Sequence, residues 1–365
     1  MGRDILNLDT SFASAFSPVE MGLQELEAVR LILQGNSVID WHKLDLNSRE
    51  AVDDFLRVQL LDVSDTDDLT RLRFVFNQSV SYLEEHLELR FPKDLKDPED
   101  IRDVFSAAST YSGRFRRHQT QACMILKLMN VINHMEAAEL KFQMPLSEAA
   151  LLDRAEKRII TFADQMRSEG HHLVAFYGSR KTRTSMITKL LAKRETIAAT
   201  VFDKLRFRII TEEPDQILPV LAHLSRTLFP FNYVIPDQSQ NNLVHLRRVI
   251  KTTPHYKDLA GRLQRLRKRP VDWLPEKNPF SGDSYRMVNF ISDFPVRVDE
   301  ILPEMSNSDS YVLGKVVYVL VEFQIVDKET ALTNEIGNNA HKNYKSRQKR
   351  IVESRLLRGS LSRKE

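Results

Sequence analysis

The chain has 365 residues, 42% of them hydrophobic and 28% charged, which suits a soluble globular protein of two domains and excludes a disordered or fibrous one. Its 53 basic residues nearly cancel its 50 acidic ones, leaving a formal net charge of +3, so any electrostatic message lies in local charge placement rather than in a global field. A single cysteine, Cys123, excludes an intramolecular disulfide and a cysteine-based zinc site, and the longest apolar run, Val316 to Val321, falls far short of the roughly 20 residues that span a bilayer.

The first stretch, MGRDILNLDTSFASAF, lacks the apolar centre of a signal peptide, so a reducing cytoplasm and no membrane contact are expected. From about residue 19 to 168 apolar side chains recur at helical spacing, as in Leu23, Leu26, Val29, Leu31 and Leu33, then Val52, Phe55, Leu56 and Val58. Start signals agree with helices: Asn47 with Glu50 three residues on reads as a capping box, and Ser147 stands just before EAALLDRAEKRIITFADQM. The surroundings of Cys123 are apolar and helical, which implies a buried rather than a reactive thiol. The segment 90–100, RFPKDLKDPED, reads as a loop.

After Gly170 the period changes. HLVAFYG, FDKLRFRIIT, FNYVIP, YRMVNFIS and KVVYVLVEFQIV are short, rich in β-branched and aromatic residues, and separated by helical or loop segments. The expected fold class is therefore α+β: an all-helical region followed by a mixed β-sheet flanked by helices, with a boundary near 150. Residues 251–283, with Pro254, Pro270, Pro275, Pro279 and the basic run RLQRLRKRP, read as a long excursion between strands.

Four stretches carry chemistry. In VVYVLVEFQIV, alternation places Tyr318, Leu320, Glu322 and Gln324 on one face, and a carboxylate there is costly unless paired or metal-bound; an edge strand with the Glu322 head in water is the simpler reading. In VFDKLRFRIIT, a regular strand puts Lys204, Arg206 and Arg208 on one face and Asp203 on the other with Leu205 and Phe207. Asp203 and Glu322, from two strands, form a pair of the kind that holds Mg²⁺ against substrate phosphates. In YGSRKTRTSMITKLLAKR, a turn leads into a helix carrying Arg180, Lys181, Ser185 and Lys189, a plausible polyphosphate site unless it is simply a solvated basic face. In FSGDSYRMVNF, Tyr285 follows a glycine turn, where its ring can stack on a base.

In chain order these segments read K-x-x-x-S-x-x-x-K, D-x-x-x-x-R, a tyrosine turn, E-x-Q and G-x-x-A-H-x-x-Y-K, a series that resembles the synthetase domain of the RelA/SpoT family of alarmone synthetases. The matching residues are Lys181, Ser185, Lys189, Asp203, Arg208, Tyr285, Arg286, Glu322, Gln324, Glu335, Gly337, Ala340, His341, Tyr344 and Lys345, over roughly residues 170–346. The resemblance implies a nucleotidyltransferase-like sheet and an ATP-dependent pyrophosphokinase, which moves the β,γ-pyrophosphate of ATP to the 3′-hydroxyl of GDP or GTP and releases AMP. By the same resemblance Asp203 and Glu322 are the catalytic, Mg²⁺-holding pair. Arg180, Lys181, Ser185, Lys189 and Arg208 would face the ATP phosphates, and Tyr285, Arg286, Asn289, Gln324, His341 and Lys345 the acceptor.

The implied organisation is a helical regulatory or scaffold domain at 1–150, a synthetase-like domain at 151–346 with the insertion 251–283, and a basic tail at 347–365. The chain departs from the family pattern at Ser179, Asn289 and Val326, where arginine, histidine and arginine are usual, and at Arg206, where glycine is usual. His42, His86, His118 and His134 are scattered and form no paired His-Asp metal set, so no alarmone hydrolysis is expected. Two alternatives remain: pyrophosphorylation of the tRNA 3′ end, suited to the basic segments, and a catalytically inactive nucleotide-binding regulator. Nothing in the sequence fixes an oligomeric state.

Overall fold

The computed structural model describes residues 21–34, 46–109, 116–171, 173–192, 203–246, 248–249, 285–299, 313–336 and 341–357, the side chains of 23, 24, 27 and 341–344 excepted. The helical part comprises α1 (Leu23–Gln34), α2 (Arg49–Val58), α3 (Thr66–Leu87), α4 (Lys93–Lys96), α5 (Arg102–Ser109), α6 (Arg116–Gln143) and α7 (Glu148–Ser168). The rest runs β1 (Ala175–Arg180), α8 (Arg183–Ala192), β2 (Leu205–Thr211), α9 (Ile217–Thr227), β3 (Gln240–Asn241), β4 (Val288–Arg297), β5 (Val316–Asp327), α10 (Lys328–Asn334) and α11 (His341–Leu357). The fold is α+β as the change of period predicts. The insertion 251–283 and residues 358–365 lie outside the described residues, and α11 continues without a break past residue 347.

The helices form where their apolar stripes and caps dictate. Val52, Phe55 and Leu56 bury one face of α2, whose cap is Ser48 rather than Asn47: the Ser48 hydroxyl accepts from the Ala51 amide at 3.1 Å. Ser147 caps α7 as expected, and Leu151, Leu152, Ala155, Ile159, Phe162, Ala163 and Met166 bury its inner stripe. The segment 90–100 holds the single turn α4, and Cys123 is buried with its thiol facing the Ala108 carbonyl at 3.5 Å. No helix of the described residues is long and apolar enough to cross a membrane.

The sheet has five strands in the order β1-β2-β5-β4-β3; β2 and β5 are parallel and the other neighbours antiparallel. FNYVIP is not one of its strands. Phe231–Tyr233 form a 3-10 turn after Pro230, and Val234 makes one isolated bridge to Ser292. Proline at both ends of the segment removes donors that a ladder needs. On one face Gly178, Phe207, Phe323 and Phe290 lie in register across four strands, with Phe207 and Phe290 6.1 and 5.4 Å from Phe323. Gly178 is required in that row, since a Cβ there would stand 2.8 Å from the Phe207 ring. Helices α7 and α9 cover this face, Arg158 of α7 lying 5.0 Å over the Phe294 ring and Phe229, just after α9, 5.1 Å from Phe323.

Helix α6 covers the start of the other face. The His134 ring stacks on Tyr318 at 4.4 Å, Asn133 donates to the Tyr318 hydroxyl at 2.6 Å, and Lys141 donates to its carbonyl at 3.2 Å. One apolar core runs from Met21 to Ile325 through both the helices and the sheet. Arg297 at the end of β4 clamps the α2–α3 corner, donating to the buried Asp68 carboxylate at 2.7 Å and to the Leu60 carbonyl at 3.0 Å. The Asp68 side chain is 4% exposed, so removing its cation strands a buried charge. Arg297→Met is expected to lower unfolding free energy by about 3 kcal/mol, the lower end for a broken buried pair because the arginine is partly exposed. Urea unfolding of the full chain measures this, and a change within about 0.5 kcal/mol would show the clamp to be dispensable.

Candidate active site

The face opposite the phenylalanine row is polar where α6 leaves it uncovered. Register fixes two rows of side chains. Ser179, Arg206 and Glu322 form one across β1, β2 and β5, ending on Ile291 of β4; Tyr177, Arg208, Gln324, Asn289 and Gln240 form the next across all five strands. Side chains in one row share a face because strand periodicity is two. Glu322 is therefore not at an edge with its head in water. It lies on the central strand and is 5% exposed.

Asp203 sits in the turn before β2 rather than within the strand, so it does not share the face of Leu205 and Phe207. The Lys181 amide donates to the Lys204 carbonyl at 3.0 Å, extending the β1–β2 ladder by one step and bringing Lys181 beside Asp203. Thr182 caps α8 through its hydroxyl, which accepts from the Ser185 amide at 3.2 Å, and α8 carries Lys189 back over the same carboxylate. Lys181 and Arg206, the latter at 3.2 Å, pair with Asp203 Oδ2, and Lys189 pairs with Oδ1 at 2.6 Å. Burial alone raises the Asp203 pKa, but Lys181 and Lys189 outweigh it and hold the carboxyl well below the usual range. Lys181 is pushed down, because its own burial exceeds the support of Asp203.

Arg206 joins the two carboxylates. Its Nη2 reaches Asp203 and its Nε donates to Glu322 Oε2 at 2.7 Å, while Asn289 and Gln324 donate to Glu322 Oε1 at 2.8 and 3.2 Å. Burial works against the arginine's charge, yet Glu322 and Asp203 more than offset it and raise its pKa. The predicted pair does meet, around a guanidinium. The donor set still suits a hard divalent ion: two converging carboxylates, with the buried Asn289 Oδ1 beside them lacking a hydrogen-bond partner among the described residues. An ion bound there would compete with the Arg206 guanidinium for the same carboxylates.

Along the second row, Arg208 donates to the Tyr285 hydroxyl at 3.1 Å and pairs with Glu335 at 3.2 Å. Burial opposes its charge, but Tyr285 and Tyr177 raise its pKa. Arg208 Nε, Asn289 Oδ1 and Gln240 Nε2, all in this one row, are buried without a hydrogen-bond partner among the described residues. Unmet polar atoms gathered in one strip are what a polar ligand would complete. Tyr285 is held by its backbone: Asn242 donates to its carbonyl at 2.8 Å, and Asn334 bonds both the amide and the carbonyl of Arg286 at 3.1 and 2.7 Å.

The structure thus gathers Lys181, Lys189, Asp203, Glu322, Gln324, Asn289, Arg208 and Tyr285, with Ser185 exposed on the first turn of α8. Arg180 is turned away, paired with Asp153 and Glu156 of α7 at 2.6 Å each. Lys345 is exposed on α11, and the side chain of His341 lies outside the described residues, as do Gly337 and Ala340. Sequence reasoning missed Gln240, whose two-residue strand is too short to show a period, and did not foresee Arg206 as the bridge. Charge alternation in KLRFRI was the available signal.

The depressed Asp203 pKa has a pH consequence. Its folded form binds protons less readily than its unfolded form, so its stabilisation is full above the unfolded value near about 4 and is lost as pH falls through the depressed folded value. The stability difference between wild type and Asp203→Asn is expected to be largest above about pH 5 and to shrink steadily in acid, as denaturant unfolding across pH would record. A difference that does not change with pH would contradict the assigned ion cluster.

No family model matches the chain, and no curated protein does. Among solved structures the chain is similar to the crystal structure of the small alarmone synthetase 1 from Bacillus subtilis bound to its product pppGpp, with 18% identity over 59% of this chain and 93% of that one, at a TM-score of 0.32. At that TM-score the likeness assigns no role to any residue.

Proposed function

We propose that this chain is an ATP-dependent pyrophosphokinase of the cytoplasm that moves the β,γ-pyrophosphate of ATP to the 3′-hydroxyl of GDP or GTP. The observation that carries this reading is the convergence of Asp203 and Glu322 at one sheet end with Lys181, Lys189 and Arg206 around them. Transfer of this kind needs in-line positioning and neutralisation of spreading negative charge more than it needs a covalent nucleophile. The two lysines and Arg208 supply cations for the phosphates, and Ser185 with the first turn of α8 supplies donors. Asp203 and Glu322 would hold Mg²⁺, which when bound screens phosphate charge and acidifies a bound hydroxyl. Glu322, with Gln324 and Asn289 beside it, would orient the attacking 3′-hydroxyl and accept its proton. Tyr285 and the second polar row would receive the acceptor nucleotide, with His341, Lys345 and Arg286 at its margin. The region 1–150 would act as scaffold for the 151–346 catalytic unit.

One observation favours a second reading, a nucleotide-binding protein without turnover. All four oxygens of the two carboxylates already accept from nitrogen donors, with Arg206 placed where a cation would act. Incubation with ATP carrying labelled β,γ-phosphates, Mg²⁺ and GDP, GTP or deacylated tRNA separates the possibilities. Label on GDP or GTP together with AMP supports the kinase. Label on tRNA moves the acceptor, and ATP binding without transfer leaves the regulator.

A further inference from the structure

We propose that Glu169, His171 and His223 form a binding site for one borderline divalent metal ion of the Zn²⁺ class, separate from the nucleotide site. The site is assembled by the end of α7. Glu169 closes the helix, Gly170 turns the chain with φ +82°, the Gly170 amide donates to the Arg167 carbonyl at 3.0 Å, and the His171 amide donates to the Met166 carbonyl at 2.9 Å. That paired C-terminal motif reverses the backbone so that residues on either side of the glycine project together. Glu169 Oε2 stands 3.6 Å from His171 Nε2 as a result.

The third ligand comes from the facing helix. His223 lies on α9, its ring packed 5.5 Å from Phe162 of α7 and 4.5 Å from the His171 ring, tilted by 55°. Its Nε2 is buried and has no hydrogen-bond partner among the described residues, an arrangement that is unfavourable for a polar atom unless something completes it. One ligand atom from each of the three residues lies within 4.8 Å of the other two. A tetrahedral ion bound at about 2.0–2.2 Å holds its ligands about 3.4 Å apart, so modest side-chain rotation closes the set.

Two imidazoles and one carboxylate are the donors of a Zn²⁺ site with a fourth position left for water, and they are a poor match for Mg²⁺ or Ca²⁺, which take oxygen ligands. The place in the fold also separates this site from the phosphates. His171 precedes β1, whereas Lys181 follows it, so the six residues of the strand put about 20 Å between them. A bound ion would tie α7 to α9, the two helices that cover the phenylalanine face.

The test uses the full chain, stripped with EDTA, dialysed and titrated calorimetrically with Zn²⁺ alone. One ion per chain and a rise in Tm are expected, because a ligand that binds only the folded state stabilises it. Co²⁺ in place of Zn²⁺ should give the visible absorption of a tetrahedral nitrogen and oxygen site. Glu169→Gln and His171→Gln, both at partly open positions, should weaken Zn²⁺ binding at least about tenfold while leaving the metal-free Tm near wild type. His223→Ala should abolish binding. Failure of the stripped chain to take up Zn²⁺, or uptake that survives Glu169→Gln and His171→Gln unchanged, would overturn the proposal.

Discussion

Asp203→Asn is expected to reduce pyrophosphate transfer at least about 10³-fold while leaving metal-free ATP binding intact. The split follows from the position of the carboxylate. Asp203 is the hub on which Lys181, Lys189 and Arg206 converge, and it is one of the two groups proposed to hold the metal. An amide of the same shape keeps the pocket but leaves three cations without their counter-ion. Phosphates can still satisfy those cations, so binding in EDTA persists; what disappears is the extra affinity that Mg²⁺ confers and the geometry of the reacting groups. Glu322→Gln should lose turnover comparably and retain ATP as well. Transfer at wild-type rate in either variant would remove the proposed catalytic pair.

Arg206→Ala should cost much stability in the absence of metal and far less in its presence. Without a divalent ion it strands Glu322, which is 5% exposed, and takes one of three cations from Asp203, at a cost of about 3–5 kcal/mol. With millimolar Mg²⁺ the two carboxylates have a replacement cation, and much of the lost Tm should return. Wild type should respond far less, because its own guanidinium already occupies the position. Thermal unfolding of both proteins with and without Mg²⁺ gives the answer independently of any activity. An equal response to Mg²⁺ in the two would mean that Arg206 and the metal do not compete.

Local pattern carried a large part of this architecture. The E-x-Q alternation placed Glu322 and Gln324 on one face, and the turn-then-helix reading of YGSRKTRTSMITKLLAKR put Lys181 just ahead of a helix carrying Ser185 and Lys189, though not their shared carboxylate. Ser147 and the inner stripe of α7 were equally readable. The errors share a cause, which is that non-local partners override local periodicity. Asp203 was assigned to the Leu205 face because β2 was started two residues too early, and a turn residue has no period to obey. Arg180 looked like a phosphate ligand because its two acidic partners lie more than twenty residues upstream on α7. FNYVIP has strand composition, but its prolines and its place after α9 make it a turn. Gln240 could be found only once β3 had paired with β4.

The parallel pairing of β2 with β5 joins Arg206 to Glu322 across 116 positions of sequence. Parallel neighbours of such separation form only after a large loop has closed, and they are slow to do so. The carboxylate pair therefore does not exist in any fragment that stops short of β5. During synthesis β2 and its Arg206 must therefore wait, with only the nearby Asp203 as counter-charge, until β5 emerges to supply Glu322.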